Sequence, residues 1–166
     1  GAANRMNVYL KEKWEKPGSR YHVMKGMFSC LHKLEALSAD WPGKIRHYEK
    51  ILFSGGRKKY KALHQYRMPD KIAEQLLSYF IYVYFAGAVY DGMPYSKIKL
   101  AAISTMLIED IVCATAAEKG ELTFEEIADA AHSYAREVEH SDLNLQRLSI
   151  MFRHQKCFHI GRLCGA

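Results

Sequence analysis

A run of sixteen uncharged residues, Gln75–Tyr90, lies between Glu74 and Asp91 and limits the folds open to this sequence. As a helix it falls short of the ~20 residues that cross a bilayer. Gln75, Ser78 and four tyrosines (Tyr79, Tyr82, Tyr84, Tyr90) also make it more polar than a lipid-facing segment. The run therefore predicts a helix buried on most sides at the centre of a bundle, with no membrane span. Pro69 opens it and Asp91-Gly92 closes it. A second apolar segment, Ile98 to Ala117, follows Pro94 and ends at Lys119-Gly120, where a glycine suits the C′ position. Together the two predict a central apolar helix pair.

The surrounding segments also carry helical spacing, with almost no period-2 alternation. The expected fold class is all-α, a single helical bundle of six or seven helices over residues 1–166. Residues 4–15 read as a first helix, stopped by Pro17-Gly18. Ser19 caps a second, with apolar positions Val23, Met27, Cys30, Leu31, Leu34 and Leu37. Asp40-Trp41-Pro42 opens a third, with Asp40 as cap and Ile45, Tyr48, Ile51 and Leu52 on its apolar side, until Ser54-Gly55-Gly56. Thr123 and Glu126 form a capping box ahead of the stripe Ile127, Ala131, Tyr134 and Val138. Ser141 or Asp142 caps a last helix carrying Leu143, Leu145, Leu148, Ile150, Met151 and Phe152. Residues 158–166 show no period and are expected to form a flexible tail.

At 166 residues, 49% of them hydrophobic and 25% charged, the chain has the composition of one globular domain, which argues against disorder. Four cysteines (Cys30, Cys113, Cys157, Cys164) are too scattered for a secreted disulfide scaffold. The opening Gly-Ala-Ala-Asn-Arg-Met has no apolar core of a signal peptide, so a cytoplasmic location is expected. Charge divides unevenly. Residues 1–72 hold sixteen Lys and Arg against six Asp and Glu, a net +10, while residues 73–166 hold eight against twelve, a net −4. The basic half can dock on an acidic partner or on the chain's own acidic half, and the second is the simpler reading.

Three constellations offer chemistry. The basic patch Arg57, Lys58, Lys59 and Lys61, interleaved with Tyr60 and followed by His64, Tyr66 and Arg67, resembles a phosphate-backbone contact or a solvated helix face. No helix-turn-helix, zinc-finger or RNP pattern accompanies it, which argues against nucleic acid. In the C-terminal region, His154, Cys157, His159 and Cys164 are ligand types for zinc, but their spacing matches no standard knuckle, and no metal site is expected. On the helix after Thr123, His132, Arg136, Glu139 and His140 fall at i, i+4, i+7 and i+8. Such a face suits binding of an anion, substrate or partner, the positioning of a proton-transfer group, or an inter-helix polar network. The tyrosines of 79–90 either line a small-ligand pocket or fill an aromatic core. Phosphate-loop, nucleophile-elbow, dinucleotide and C-x-x-C signatures are absent.

Four segments carry a family resemblance, spread over about residues 48–148. Ala73-Glu74-Gln75-Leu76-Leu77-Ser78-Tyr79-Phe80 is followed by the aliphatic stretch 99–115. Then come Lys119-Gly120-Glu121-Leu122-Thr123-Phe124-Glu125-Glu126-Ile127 and Ser133-Tyr134-Ala135-Arg136-Glu137-Val138-Glu139-His140-Ser141. In that order they resemble the C-terminal helical region of the flagellin lysine-N-methylases, with Gln75 and Ala135 standing where that family often has Asn and Ser. The resemblance implies methyl transfer to lysine side chains of flagellin or another lysine-bearing protein. It also implies S-adenosylmethionine and an iron–sulfur cluster held by cysteines of an N-terminal half. Nothing here matches that cysteine cluster, so the resemblance implies a C-terminal fragment of a larger protein or a shortened relative, in either case inactive alone, that scaffolds or docks substrate for the missing half.

Overall fold

The computed structural model describes residues 18–164, and the expected helix over 4–15 lies outside them. These residues form eight α-helices and no strand. In order they are α1 (Arg20–Leu31), α2 (Trp41–Phe53), α3 (Gly56–Leu63), α4 (Asp70–Asp91), α5 (Pro94–Lys119), α6 (Phe124–Tyr134), α7 (Asp142–His154) and α8 (Ile160–Leu163). A π-helical turn, Ala135–Glu139, extends α6, and short 3₁₀ turns follow α3 and α7. The all-α expectation holds. The basic stretch after Gly56 supplies an extra helix because Tyr60 and Leu63, three apart, give it one buried side.

The axis of the fold is α5. Leu100, Ala101, Ile103, Leu107, Ile108, Ile111, Val112, Cys113, Ala114 and Ala116 are all buried, and they point in every direction around the helix. Every other described α-helix except α8 packs against it, with α4 lying alongside for the greatest length. α5 is the one described helix long and apolar enough to cross a membrane by length and composition, and 67% of its most apolar window is buried inside the fold.

The central position was expected of α4, and the structure corrects this. Phe80, Tyr84 and Ala88 bury one stripe against the core, four apart, with Phe80 stacked on Tyr84. The opposite side, Tyr79, Ile81, Tyr82, Val83 and Phe85, is exposed, and Tyr82 is 81% accessible. An uncharged run has no polar face to show which side meets water, so its burial was overestimated. Of the tyrosines, Tyr84 lies in the core and Tyr79 and Tyr82 on the surface.

Local signals hold where no distant residue intervenes. Gly120 caps α5 in the left-handed region (φ +81°). The capping box is closed in both directions, the Thr123 N–H donating to Glu126 Oε2 at 2.6 Å and the Glu126 N–H to Thr123 Oγ1 at 3.4 Å. Of the two candidates, Ser141 caps α7, its Oγ accepting from the Asn144 N–H at 3.2 Å. By contrast Ser19 and Asp40 stand at helix starts without capping them. Ser19 Oγ lies 3.2 Å from His22 Nδ1, and the Asp40 carboxylate turns to Lys44 Nζ at 2.7 Å.

The second predicted helix, read through Leu37, stops at Leu31, and Leu37 is exposed. Side chains from the far end of the sequence hold the next segment open. Glu137 Oε2 accepts the N–H groups of Leu37 (2.9 Å) and Ser38 (3.2 Å), and Asn144 bonds both the N–H and the carbonyl of Glu35. The C-terminal residues pack against α1: Phe158 is fully buried beside Phe152, and the Gly18 N–H donates to the Arg162 carbonyl at 3.0 Å.

Candidate functional site

Two cavities lie on either side of α5. The first, about 480 Å³, opens between the start of α1 and the basic helix α3, lined by Ser19, Arg20, Tyr21, Arg57, Lys58, Tyr60, Lys61 and His64. Beneath it sits Asp110, a carboxylate with no accessible surface in the middle of an apolar helix. Burying such a charge is tolerable only with partners on every side. Arg20 donates to Asp110 Oδ1 from Nε (3.1 Å) and Nη2 (2.9 Å), and His64 Nε2 lies 3.2 Å from the same oxygen. The Tyr60 hydroxyl donates to Oδ2 at 2.7 Å. Arg20 further reaches Glu109 at 2.6 Å and the Met106 carbonyl at 3.0 Å.

The electrostatics follow from this packing. Burial pulls the His64 pKa down, but the hydrogen bond and charge of Asp110, with the Tyr60 carbonyl 2.9 Å from Nδ1, raise it above the ordinary value. Both ring nitrogens face acceptors, which suits an imidazolium. Burial and the neighbouring Asp110 also push the Tyr60 hydroxyl far up, so it stays protonated. Sequence reasoning does not reach Arg20 or Asp110, and it includes Tyr60 and His64 only as neighbours of the basic patch. A signal was present: Glu109-Asp110 is the only acidic pair inside an otherwise aliphatic helix. Of the basic patch, Arg57, Lys58 and Lys61 line the cavity, whereas Lys59 is exposed outside it.

The second cavity, about 460 Å³, is polar and lies between α2, α5 and α6. It contains two of the four residues expected on one helical face, His132 and Arg136, among Lys44, Tyr48, Lys119, Glu126 and Asp129. The other two lie elsewhere. Glu139 accepts from the Tyr79 hydroxyl of α4 at 2.8 Å, and His140 is exposed, its N–H closing the π turn on the Ala135 carbonyl at 2.9 Å. The buried anchor of the segment is Glu137, which the face reading skipped. Behind it, Tyr134 is completely buried, and burial pushes its hydroxyl up to about 12 while Ser104 and Tyr84 hydrogen-bond it.

The segment containing Tyr134, Arg136, Glu137 and Ser141 thus joins α6, α7 and the 35–38 loop, and this is where a family signature was read. A family model, the FliB lysine N-methylase C-terminal domain, matches residues 4–165. The chain belongs to that family. The match extends beyond the 48–148 region of resemblance to nearly the whole sequence. No curated protein and no solved structure matches the chain.

The described residues do not fit an iron–sulfur cluster, which needs clustered thiolates. Cys30 and Cys113 are buried on different helices, and burial pushes their thiols up to about 11 and about 12. Cys157 is half-buried, also raised by burial, and Cys164 is exposed. Among the described residues no three His, Cys, Asp or Glu side chains gather as metal ligands, and His154, Cys157, His159 and Cys164 form no such group.

Proposed function

We propose that this domain serves a lysine N-methylase as a docking and scaffolding unit. In this reading it holds the remainder of the enzyme and presents flagellin, or another lysine-bearing protein, to it. S-adenosylmethionine and the iron–sulfur cluster belong to that remainder, in a soluble, cytoplasmic enzyme. The observation that carries the proposal is the match of residues 4–165 to the C-terminal domain of this family. Two features of the chain support it: a cysteine set unsuited to a cluster, and an exposed apolar face on α4 of the kind that marks interaction surfaces. Tyr82 and Phe85 are the central anchors we assign to that contact.

The gene product carrying this domain should, on co-expression with flagellin, leave methyl-lysine on flagellin detectable by mass spectrometry. Tyr82→Ser with Phe85→Ser should reduce that modification while the unfolding temperature of the domain stays near the parent value. Absence of methyl-lysine with the intact protein would overturn the enzymatic setting. Full methylation by the double variant would remove α4 from the contact.

A second reading, a non-enzymatic module that binds an acidic partner or nucleic acid, is favoured by one observation. Arg57, Lys58, Lys59 and Lys61 are exposed on α3 with no carboxylate partner among the described residues. A filter-binding titration with an oligonucleotide tests it, since binding must weaken as salt rises. No retention at low salt would dismiss it.

A further inference from the structure

We propose that the cavity between α1 and α3 binds a small phosphorylated compound, a phosphate ester carried on a ring. Its volume, about 480 Å³, lies within the range of small-molecule sites. Its walls combine the rings of Tyr21 and Tyr60 with the residues Arg57, Lys58 and Lys61, whose long apolar stems end in cations. Among the described residues no acidic side chain lines it.

The charge there is not neutralised from within. Asp110 and Glu109 lie below the cavity and are already engaged by Arg20, His64 and the Tyr60 hydroxyl. Arg20 spends its donors on those two carboxylates and the Met106 carbonyl, and both His64 nitrogens face acceptors. The available donors are therefore on α3. Arg57 lies beside His22, its Nη2 3.0 and 3.1 Å from the two ring nitrogens. Lys58 and Lys61 have no hydrogen-bond or ion-pair partner among the described residues.

Helix α3 also breaks a local rule. Its first turn contains Arg57, Lys58 and Lys59 and no acidic residue, so cations crowd the positive end of the helix dipole. Arg57–Lys61 and Lys58–Lys61 add like-charge pairs at i+4 and i+3. α1 starts at the same cavity, likewise with no acid in its first turn and no side-chain cap. Nothing in the described chain offsets this accumulation, and violations of local consistency concentrate at functional sites. A phosphate at the cavity mouth relieves the repulsion, and the partly exposed Tyr21 ring with the lysine stems receives the ring that carries it, Tyr60 being buried behind them.

Isothermal titration of the full chain at low salt tests the assignment, with AMP, UMP and glucose 6-phosphate against adenosine, uridine and glucose. At least one phosphate ester should bind saturably, about tenfold or more tightly than its unphosphorylated partner. Lys58→Ala with Lys61→Ala should weaken it by about tenfold, whereas Lys59→Ala, outside the cavity, should leave affinity within about twofold. All three positions are exposed, so the variants should keep the parent's circular dichroism spectrum, which is recorded alongside the titrations. Three outcomes overturn the proposal: no binding of any phosphate ester, equal binding of the unphosphorylated partner, or equal weakening by Lys59→Ala. None of them bears on flagellin methylation, so failure here leaves the docking reading standing.

Discussion

The carboxylate of Glu137 accepts two backbone N–H groups from a segment one hundred positions earlier, and its neighbour Arg136 contributes only a 3.4 Å contact from a 54% exposed side chain. Removing the carboxylate strands two donors and frees the 35–38 loop. Glu137→Ala should therefore destabilise the fold by about 3 kcal/mol, roughly 10 °C in Tm. Arg136→Ala should cost under about 1 kcal/mol, as exposed ion pairs do. Equal losses in thermal unfolding would refute the anchor role of Glu137. His64 gives a pH dependence. Its folded pKa is raised, so its stabilising contribution is complete below the ordinary value and fades as pH rises through the raised one. Urea midpoints should fall from neutral toward mildly alkaline pH, and His64→Gln should flatten that slope. A slope identical in the variant would exclude His64 as its source.

Among the elements, those bounded by their own residues were legible in the sequence. Pro69, Pro94, Gly92, Gly120 and the Thr123/Glu126 box define α4, α5 and α6, because each signal acts within one helical turn. Elements shaped by distant partners were not. Leu34 and Leu37 continue the apolar spacing of α1, yet Asn144 and Glu137 capture the backbone there and end the helix. The placement of the C-terminal segment depends on the lack of a side chain at Gly26, where a Cβ would lie 2.8 Å from Cys157 Sγ and 3.3 Å from the Phe158 ring. Gly26→Ala should lift this segment and leave the other helices in place. Cys157 should then react faster with a thiol reagent, while the deeply buried Cys30 and Cys113 stay slow. Unchanged Cys157 labelling would show that the segment absorbs the methyl group without moving.

For the molecule as a whole, the burial of α5 and the exposure of α4 set opposite expectations for mutation. Leu107→Ala, at the centre of the core, should cost about 2–5 kcal/mol in urea unfolding. Tyr82→Ser should stay within about 0.5 kcal/mol, since the ring leaves little water-free contact behind. A large loss from Tyr82→Ser would mean that the α4 face is covered. The +10 and −4 halves meet through Arg20 on Glu109 and Asp110, and His47 on Glu118, so the chain complements itself in part, while the cations of α3 meet no carboxylate among the described residues. Helical class, most helix ends and the family are legible in the residues alone, because periodicity, caps and ordered motifs are local properties. The sequence also held the residues of both cavities, but not their grouping. Only the tertiary structure made α5 the axis, exposed α4, split His132 and Arg136 from Glu139 and His140, and assembled Arg20, Tyr60, His64 and Asp110. Those outcomes depend on which partner each face meets, and such partners lie 46 to 90 residues apart around Asp110. Local spacing carries no record of them.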